Sequence, residues 1–294
     1  MGRGVTDCWL DPRGDFVSEL ERSNPAPSVR FGLELAVWNL YAASSHKSLP
    51  QLVTPQPRTT VPVNGLLSGE PHGILDEAGR MKHAGYRSVK LKVGVRTVAE
   101  DVGLVRALGE ALGDGTSLRL DANRAWSYGE ASEFVRETRR WAPRFEYVEE
   151  PLADPAGLPE LVQEFGVPVA LDESLLGMGP GELVLHRYAR AIILKPTLVG
   201  GISRTMQLAE RALSLGMTPV ISSAYESGVG TAALVALAAG IGEHPVPAGL
   251  DTYRAMAEDV LEAPLELPAP GVDVLKTADA SREVDVRDLK KLQV

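Results

Sequence analysis

The chain of 294 residues has one cysteine, Cys8. A lone thiol excludes a disulfide framework and any multi-thiolate metal centre, and Cys8 is read as a bystander. No apolar run reaches the roughly 18 residues that a membrane-spanning helix needs. Residues 1–14 carry charges and glycine but no apolar stretch of the kind a signal peptide requires. Basic blocks are missing as well: 30 Lys and Arg face 39 Asp and Glu, a net charge of −9. That balance argues against nucleic acid as the main partner. The expectation is a cytoplasmic protein that acts on a small molecule, away from membranes and nucleic acids.

What the sequence does contain is a repeat. Short apolar runs recur at 61–67, 88–93, 118–122, 145–149, 168–171, 191–194, 218–222 and 248–250. Their spacing, roughly 20–30 residues, is that of one strand–helix unit. Helical periodicity lies between them: Ala131, Phe134, Val135, Thr138 and Trp141 form one set, and Ile202, Met206, Ala209 and Leu213, stopped by Gly216, another. Residues 231–241 are apolar nearly all round, which predicts a buried helix. Strands alternating with helices imply parallel pairing, and eight of them imply a TIM-type (β/α) barrel. An open doubly wound sheet would need a glycine-rich phosphate turn after its first strand, and Val63-Asn64-Gly65-Leu66-Leu67 is not one.

Three segments follow. Residues 1–58 read as an N-terminal segment with one helix, opened by Ser28 as N-cap and with Phe31, Leu35, Trp38 and Ala42 on one face. Residues 59–262 form the barrel. Residues 263–294 follow as a strand and a short excursion outside it.

The stretch 88–94, Ser-Val-Lys-Leu-Lys-Val-Gly, puts Lys90 and Lys92 on one face of a strand. Adjacent ammonium groups repel, so at least one is expected to titrate below its free value. Alone, the pair reads as the wet face of a strand. Charge at the ends of the following strands changes that reading, because barrel active sites lie at the C-terminal strand ends. Strand three ends in Asp121 and Asn123, strand four in Glu149 and Glu150, strand five in Asp172 and Glu173, and strand six in Lys195. Carboxylates converging from neighbouring strands repel unless a cation sits among them. Oxygen donors alone select a hard ion, Mg²⁺ or Mn²⁺. Lysines on either side of such an ion suit removal of a proton α to a carboxylate. The histidines, His83 and His186 among them, fall away from strand ends and are given no role.

This ordered set resembles the enolase superfamily, and within it the o-succinylbenzoate synthase family. The matching pieces are Lys90-Leu91-Lys92, Asp121-Ala122-Asn123, Glu149-Glu150-Pro151, Asp172-Glu173-Ser174, Lys195-Pro196-Thr197, Ser222-Ser223 with Glu226-Ser227, and Gly249-Leu250-Asp251-Thr252; Pro-Ser-Val-Arg-Phe-Gly at 27–32 also matches. The resemblance spans roughly residues 27–257 and implies several roles. Asp121, Glu149 and Asp172 would hold Mg²⁺, with Glu149 rather than Glu150 facing inward. Lys92 would take the α-proton and return it to a departing hydroxyl. Lys90 would tune Lys92, and Lys195 would stabilise the ring enolate by its charge. Ser222, Ser223, Gly249 and Asn123 would bind or support the substrate, with Arg119 behind them. The implied reaction is Mg²⁺-assisted loss of water from 2-succinyl-6-hydroxy-2,4-cyclohexadiene-1-carboxylate, a lyase step toward menaquinone. N-acylamino acid racemase and dipeptide epimerase are the alternatives within the superfamily, and a truncated non-catalytic barrel is the alternative outside catalysis. The family also carries a capping sheet before the barrel. Residues 1–27 do not read as three strands, so residues 1–58 are expected to be a reduced cap, to which 263–294 return, on a catalytic barrel of residues 59–262.

Overall fold

The computed structural model describes residues 14–285 and 287, so Cys8 lies outside the described residues. Three helices come first: α1 (Asp15–Ser23), α2 (Pro27–Ser44) and α3 (Leu49–Val53). Strands β1 (Thr60–Pro62) and β2 (Gly65–Leu67) follow. Then come α4 (Pro71–His83), β3 (Ser88–Lys92), α5 (Val98–Leu112), β4 (Ser117–Asp121), α6 (Tyr128–Thr138), β5 (Phe145–Glu149), α7 (Leu158–Phe165) and β6 (Val169–Leu171). The chain continues through β7 (Ala191–Leu194), α8 (Pro196–Val199), α9 (Ile202–Ser214), β8 (Thr218–Ile221), α10 (Gly228–Gly240), β9 (Gly271–Asp273) and α11 (Val274–Ala280).

Strands β2 to β8 form one parallel sheet in sequence order. Ala248 and Gly249 close it, bridging in parallel to Val63 and Ser222 respectively. The result is an α/β barrel of TIM type. The eighth strand expected at 248–250 is therefore only a pair of bridging residues. Pro245 and Pro247 precede it without amide donors, and a 3₁₀ turn begins directly after it at Asp251. The run expected as one strand at 61–67 is divided. Its first part, β1, pairs antiparallel with β9 from the C-terminal segment, and only its second part joins the barrel.

Strand alternation sorts the side chains into two sets. Outward residues such as Leu91, Leu118, Leu120, Leu171 and Ile192 meet the helices in the main core. Inward residues fill the barrel itself, where Tyr147, Ala170, Ala191, Ile193 and Val220 pack together. Helix α10 is buried almost all round, as its composition predicts. In α9 the buried seam is Ile202, Thr205, Leu208, Ala209 and Ala212, while Leu213 is exposed, so the sequence reading of that face was off by one position at its end.

The described part of the N-terminal segment holds three helices rather than the one expected. Helix α2 buries Phe31, Leu35, Trp38 and Ala42, the face read from the sequence. It begins at Pro27 with Ala26 as N-cap, not at Ser28; proline suits the first helical position because the amide it lacks would be unpaired there. The same face buries Glu34 completely. Its carboxylate accepts from Arg30 Nε at 2.9 Å and from the backbone N–H of Ser203, in the first turn of α9, at 2.8 Å. Gly201, at φ +102°, lies so close that a Cβ there would sit 2.7 Å from Glu34 Cδ. Helix α2 is thus pinned to the loop that follows β7.

Candidate active site

The inward row at the C-terminal end of the sheet is in register. Lys92 pairs with Asp121, Asp121 with Glu149, and Glu149 with Ala170. Asp172 lies two residues beyond Ala170, on the same face. Lys90 Nζ is 2.9 Å from Asp121 Oδ2 and 2.7 Å from Glu149 Oε2, and donates to Glu149 Oε1 at 2.9 Å. Lys92 Nζ approaches the same Asp121 Oδ2 at 3.1 Å and donates to Asn123 Oδ1. Lys195 donates to Asp172 Oδ2. The structure therefore brings the three lysines and the three acids into one alternating cluster.

Of the two adjacent lysines, at least one of which is expected to titrate low, Lys90 does not. Burial works against its charge, but Glu149 and Asp121 outweigh burial and raise its pKa. Lys195 is also raised, burial being overcome by Asp172 and then Glu149. Repulsion between lysines matters less here than the acids that the register sets beside them. Among the acids, burial pushes Glu149 up to about 8, against Lys90 and with help from Asp121 and Asp172. Burial also raises Asp172, against Lys195. Asp121 is lowered, because Lys90 and Lys92 outweigh burial.

The two carboxylate doublets separate by direction. Glu149 points into the barrel. Glu150, at φ +40°, turns the other way. It accepts from the backbone N–H groups of Asp172 at 2.9 Å and Ser174 at 2.7 Å, from Ser174 Oγ at 3.0 Å and from Arg124 Nε at 3.1 Å. It fixes the turn after β6 and so the position of Asp172. Glu173 accepts from Asn123 Nδ2 at 3.0 Å. Asn123 is thus shared between Lys92 and Glu173.

A pocket of about 230 Å³ opens above this row. Lys90, Lys92 and Asp121, on β3 and β4, line it on one side; Lys195, Ser222, Ser223 and Gly249, at the ends of β7, β8 and the closing bridge, line it across from them. Glu149 and Asp172 lie behind the lysines that hold them. Ser222 Oγ reaches Gly249 O at 3.4 Å, while the Ser223 hydroxyl is committed to Glu226 at 2.6 Å. Asn64, Leu66, Asp251, Thr252 and Tyr225 complete the wall. The sequence reading gave Asn64 and Leu66 no role; their signal is only that Asn64 precedes the first barrel strand and Leu66 lies within it. Arg119 lies fully buried beneath, with Nε 2.6 Å from Glu146 and Nη1 2.9 Å from Asn64 Oδ1 and 2.7 Å from Pro247 O.

Among the described residues, no group of three or more His, Cys, Asp or Glu side chains is gathered around a single point as a finished metal site. The acids instead reach for the lysines. In kind the residues still fit a hard divalent cation: the donors are all oxygen, and they come from three adjacent strands. Glu149 Oε2 is buried without a hydrogen bond of proper geometry, although Lys90 is close.

The family described as enolase C-terminal domain-like matches residues 73–278. An o-succinylbenzoate synthase of Thermobifida fusca is 37% identical over 77% of this chain and 70% of its own length. Another, of Aliivibrio salmonicida, is 32% identical over 95% of this chain and 79% of its own. The chloroplastic protein PHYLLO of Arabidopsis thaliana is 33% identical over 90% of this chain, which spans only 17% of that protein. Among solved structures, muconate lactonizing enzyme from Pseudomonas fluorescens, complexed with muconolactone, is similar at a TM-score of 0.78, with 25% identity, 87% of this chain and 70% of that one. A dipeptide epimerase from Enterococcus faecalis V583 is similar at 0.77, with 25% identity, 86% of this chain and 74% of that one. With its barrel, its clustered acids and lysines, and these relatives, the chain belongs to the enolase superfamily.

Proposed function

We propose that the chain is an o-succinylbenzoate synthase, a lyase that removes water from 2-succinyl-6-hydroxy-2,4-cyclohexadiene-1-carboxylate in menaquinone biosynthesis. The observation that carries the reaction class is the pocket that Lys92 and Lys195 share, with Asp121 in its wall and Glu149 and Asp172 behind their lysines. The substrate is supported by synthases 32–37% identical to the chain.

Asp121, Glu149 and Asp172 would hold Mg²⁺, or Mn²⁺ in its place. The ion supplies positive charge against the second negative charge that develops on the substrate carboxylate as the α-proton leaves. Lys92, as the free amine, takes that proton. The C–H electron pair moves into the ring as the hydroxyl leaves, and the Lys92 ammonium returns the proton to it as water. Lys90 holds Asp121 and Glu149 in place. Lys195 contributes fixed positive charge toward the ring enolate. Ser222 and the backbone at Gly249 meet the succinyl carboxylate on the wall across from Lys92.

Purified protein with Mg²⁺ and the cyclohexadiene acid gives the aromatic product, and chelation with EDTA stops it. Absence of product, or Lys92→Ala turning over like the unmodified chain, refutes the reading. A second reading is racemisation of an N-acylamino acid or epimerisation of a dipeptide. It is favoured by one observation: Lys92 and Lys195 enter the pocket from different sides, as proton exchange at both faces of a carbon requires. Deuterium incorporation from solvent at the α-carbon of an N-succinylamino acid separates the two.

A further inference from the structure

We propose that Glu226 is a positioning residue that locks the segment bearing Lys195, after β7, to the neighbouring loop after β8 in the wall of the pocket. The inference rests on reading that pocket as the active site. Glu226 is 7% exposed, and no lysine or arginine forms an ion pair with it among the described residues. A buried carboxylate without a counter-ion is costly unless it is well hydrogen-bonded. The donors that satisfy this one come from two different loops. Thr197 Oγ1, two residues beyond Lys195, donates to Oε1. Ser223 Oγ donates to Oε2 at 2.6 Å and the backbone N–H of Ala224 donates to the same oxygen at 2.7 Å.

Each side of this latch reaches the pocket within a residue or two. Lys195 and residues 222–225 all line it. The chain at Tyr225 is held at φ +66°, with its N–H donating to Ser223 Oγ at 3.2 Å. The unfavourable backbone conformation is therefore stabilised by the same hydroxyl that binds Glu226. Space is fitted to the carboxylate too: a Cβ on Gly230 would lie 2.8 Å from Glu226 Cβ. A residue that merely began α10 would need none of the contacts to Thr197, since Ser227 already caps that helix by accepting from the Gly230 N–H at 3.4 Å. The Thr197 bond crosses between strand ends, so it sets the distance from Lys195 to Ser222.

Glu226→Gln presents an amide N–H₂ to one of the two loops. Its oxygen can still accept from Ser223 Oγ and the Ala224 N–H while its amide donates to the Thr197 hydroxyl, so glutamine removes the charge and keeps both sides, whereas Glu226→Ala removes every bond at once. Thr197→Val keeps shape and removes only the β7-side donor, and Thr197→Ser restores it. Hydrogen–deuterium exchange in full-length protein is read on peptides covering residues 195–201 and 222–228. Thr197→Val is expected to speed exchange in the distant 222–228 peptide about tenfold, the size of one lost hydrogen bond to a charged group, with protection regained in Thr197→Ser. In the dehydration assay, kcat/KM is expected to fall about tenfold in Thr197→Val and further in Glu226→Ala, through both KM and kcat. Unchanged exchange at 222–228 in Thr197→Val overturns the proposal. So does a lowered melting temperature in Glu226→Ala with unchanged kcat and KM for the folded enzyme. If the unmodified chain does not turn over the cyclohexadiene acid, the proposed reaction is wrong, while the exchange measurement still decides the role of Glu226.

Discussion

Lys92 and Lys195 reach one pocket from two differently built halves of the barrel. Lys92 sits inside β3, where backbone register sets it opposite Asp121, and Asp121 opposite Glu149. Lys195 follows the end of β7 and leads into the short helix α8. No ladder continues there. Its loop is held instead by side chains: Asp172 on the lysine itself, Glu226 on Thr197, and Glu34 on the start of α9. One half is placed by peptide hydrogen bonds that any sequence can make. The other depends on particular buried carboxylates. Substitutions should therefore act differently in the two halves.

The largest effect is expected in the strand half. Lys92→Ala should lower kcat/KM for the dehydration by roughly 10³-fold, the usual reach of a lost general acid–base group, with the melting temperature little changed because the side chain is partly exposed and the register does not need it. Steady-state rates beside a thermal melt check both. In the loop half, Glu34→Ala removes a fully buried carboxylate and leaves Arg30 and the Ser203 N–H without it. The expected cost is about 3 kcal/mol of stability, as for breaking a buried ion pair, measured by urea unfolding. Loss of activity at temperatures where the variant stays folded would extend the role of Glu34 to placing Lys195.

Beneath the strand half, Glu146 is held low: burial raises it, but Arg119 and Ser117 outweigh burial. A depressed folded pKa gives stability that is present above the unfolded value, about 4.3, and is lost as pH falls through the folded one. Glu146→Gln should therefore be less stable than the unmodified chain near neutrality by about 2 kcal/mol, the range for a hydrogen bond to a charged group. The gap should close in acid, which unfolding curves taken across pH will show. The smallest effect belongs to the outer helices. Thr97 caps α5, accepting from the Glu100 N–H at 3.3 Å while Glu100 reaches back to the Thr97 N–H at 2.9 Å. Thr97→Ala should cost about 1 kcal/mol and leave kcat and KM unchanged. A kinetic change there would mean that the outer shell also positions the site.

Much of the strand half was legible in the sequence, because a period of two is simple: Lys90, Lys92, Asp121 and Glu149 could be assigned to one face by counting. The loop half was less so. Glu34 sits in an apolar helix face and looks like a solvent-exposed residue between Leu33 and Leu35; only the arrival of α9 explains its burial. Glu226 was noted as part of a motif without a task, since its partners Thr197 and Ser223 come from separate loops. The eighth strand shrank to two residues because closure is a property of the whole ring, not of the segment 248–250. The raised pKa of Lys90 was hidden for the same kind of reason: its nearby charge in sequence is a lysine, but its neighbours in space are acids.

By itself the sequence determined the alternation of strand and helix, which residues face inward along each strand, and the order of charged strand ends, because these follow from local periodicity and the geometry of the peptide unit. Tertiary structure alone decided what holds Glu150, how the barrel closes, and what holds Lys195. Each of those depends on groups far apart in the chain meeting at one place, where burial and the sign of the nearest charge outweigh local preference.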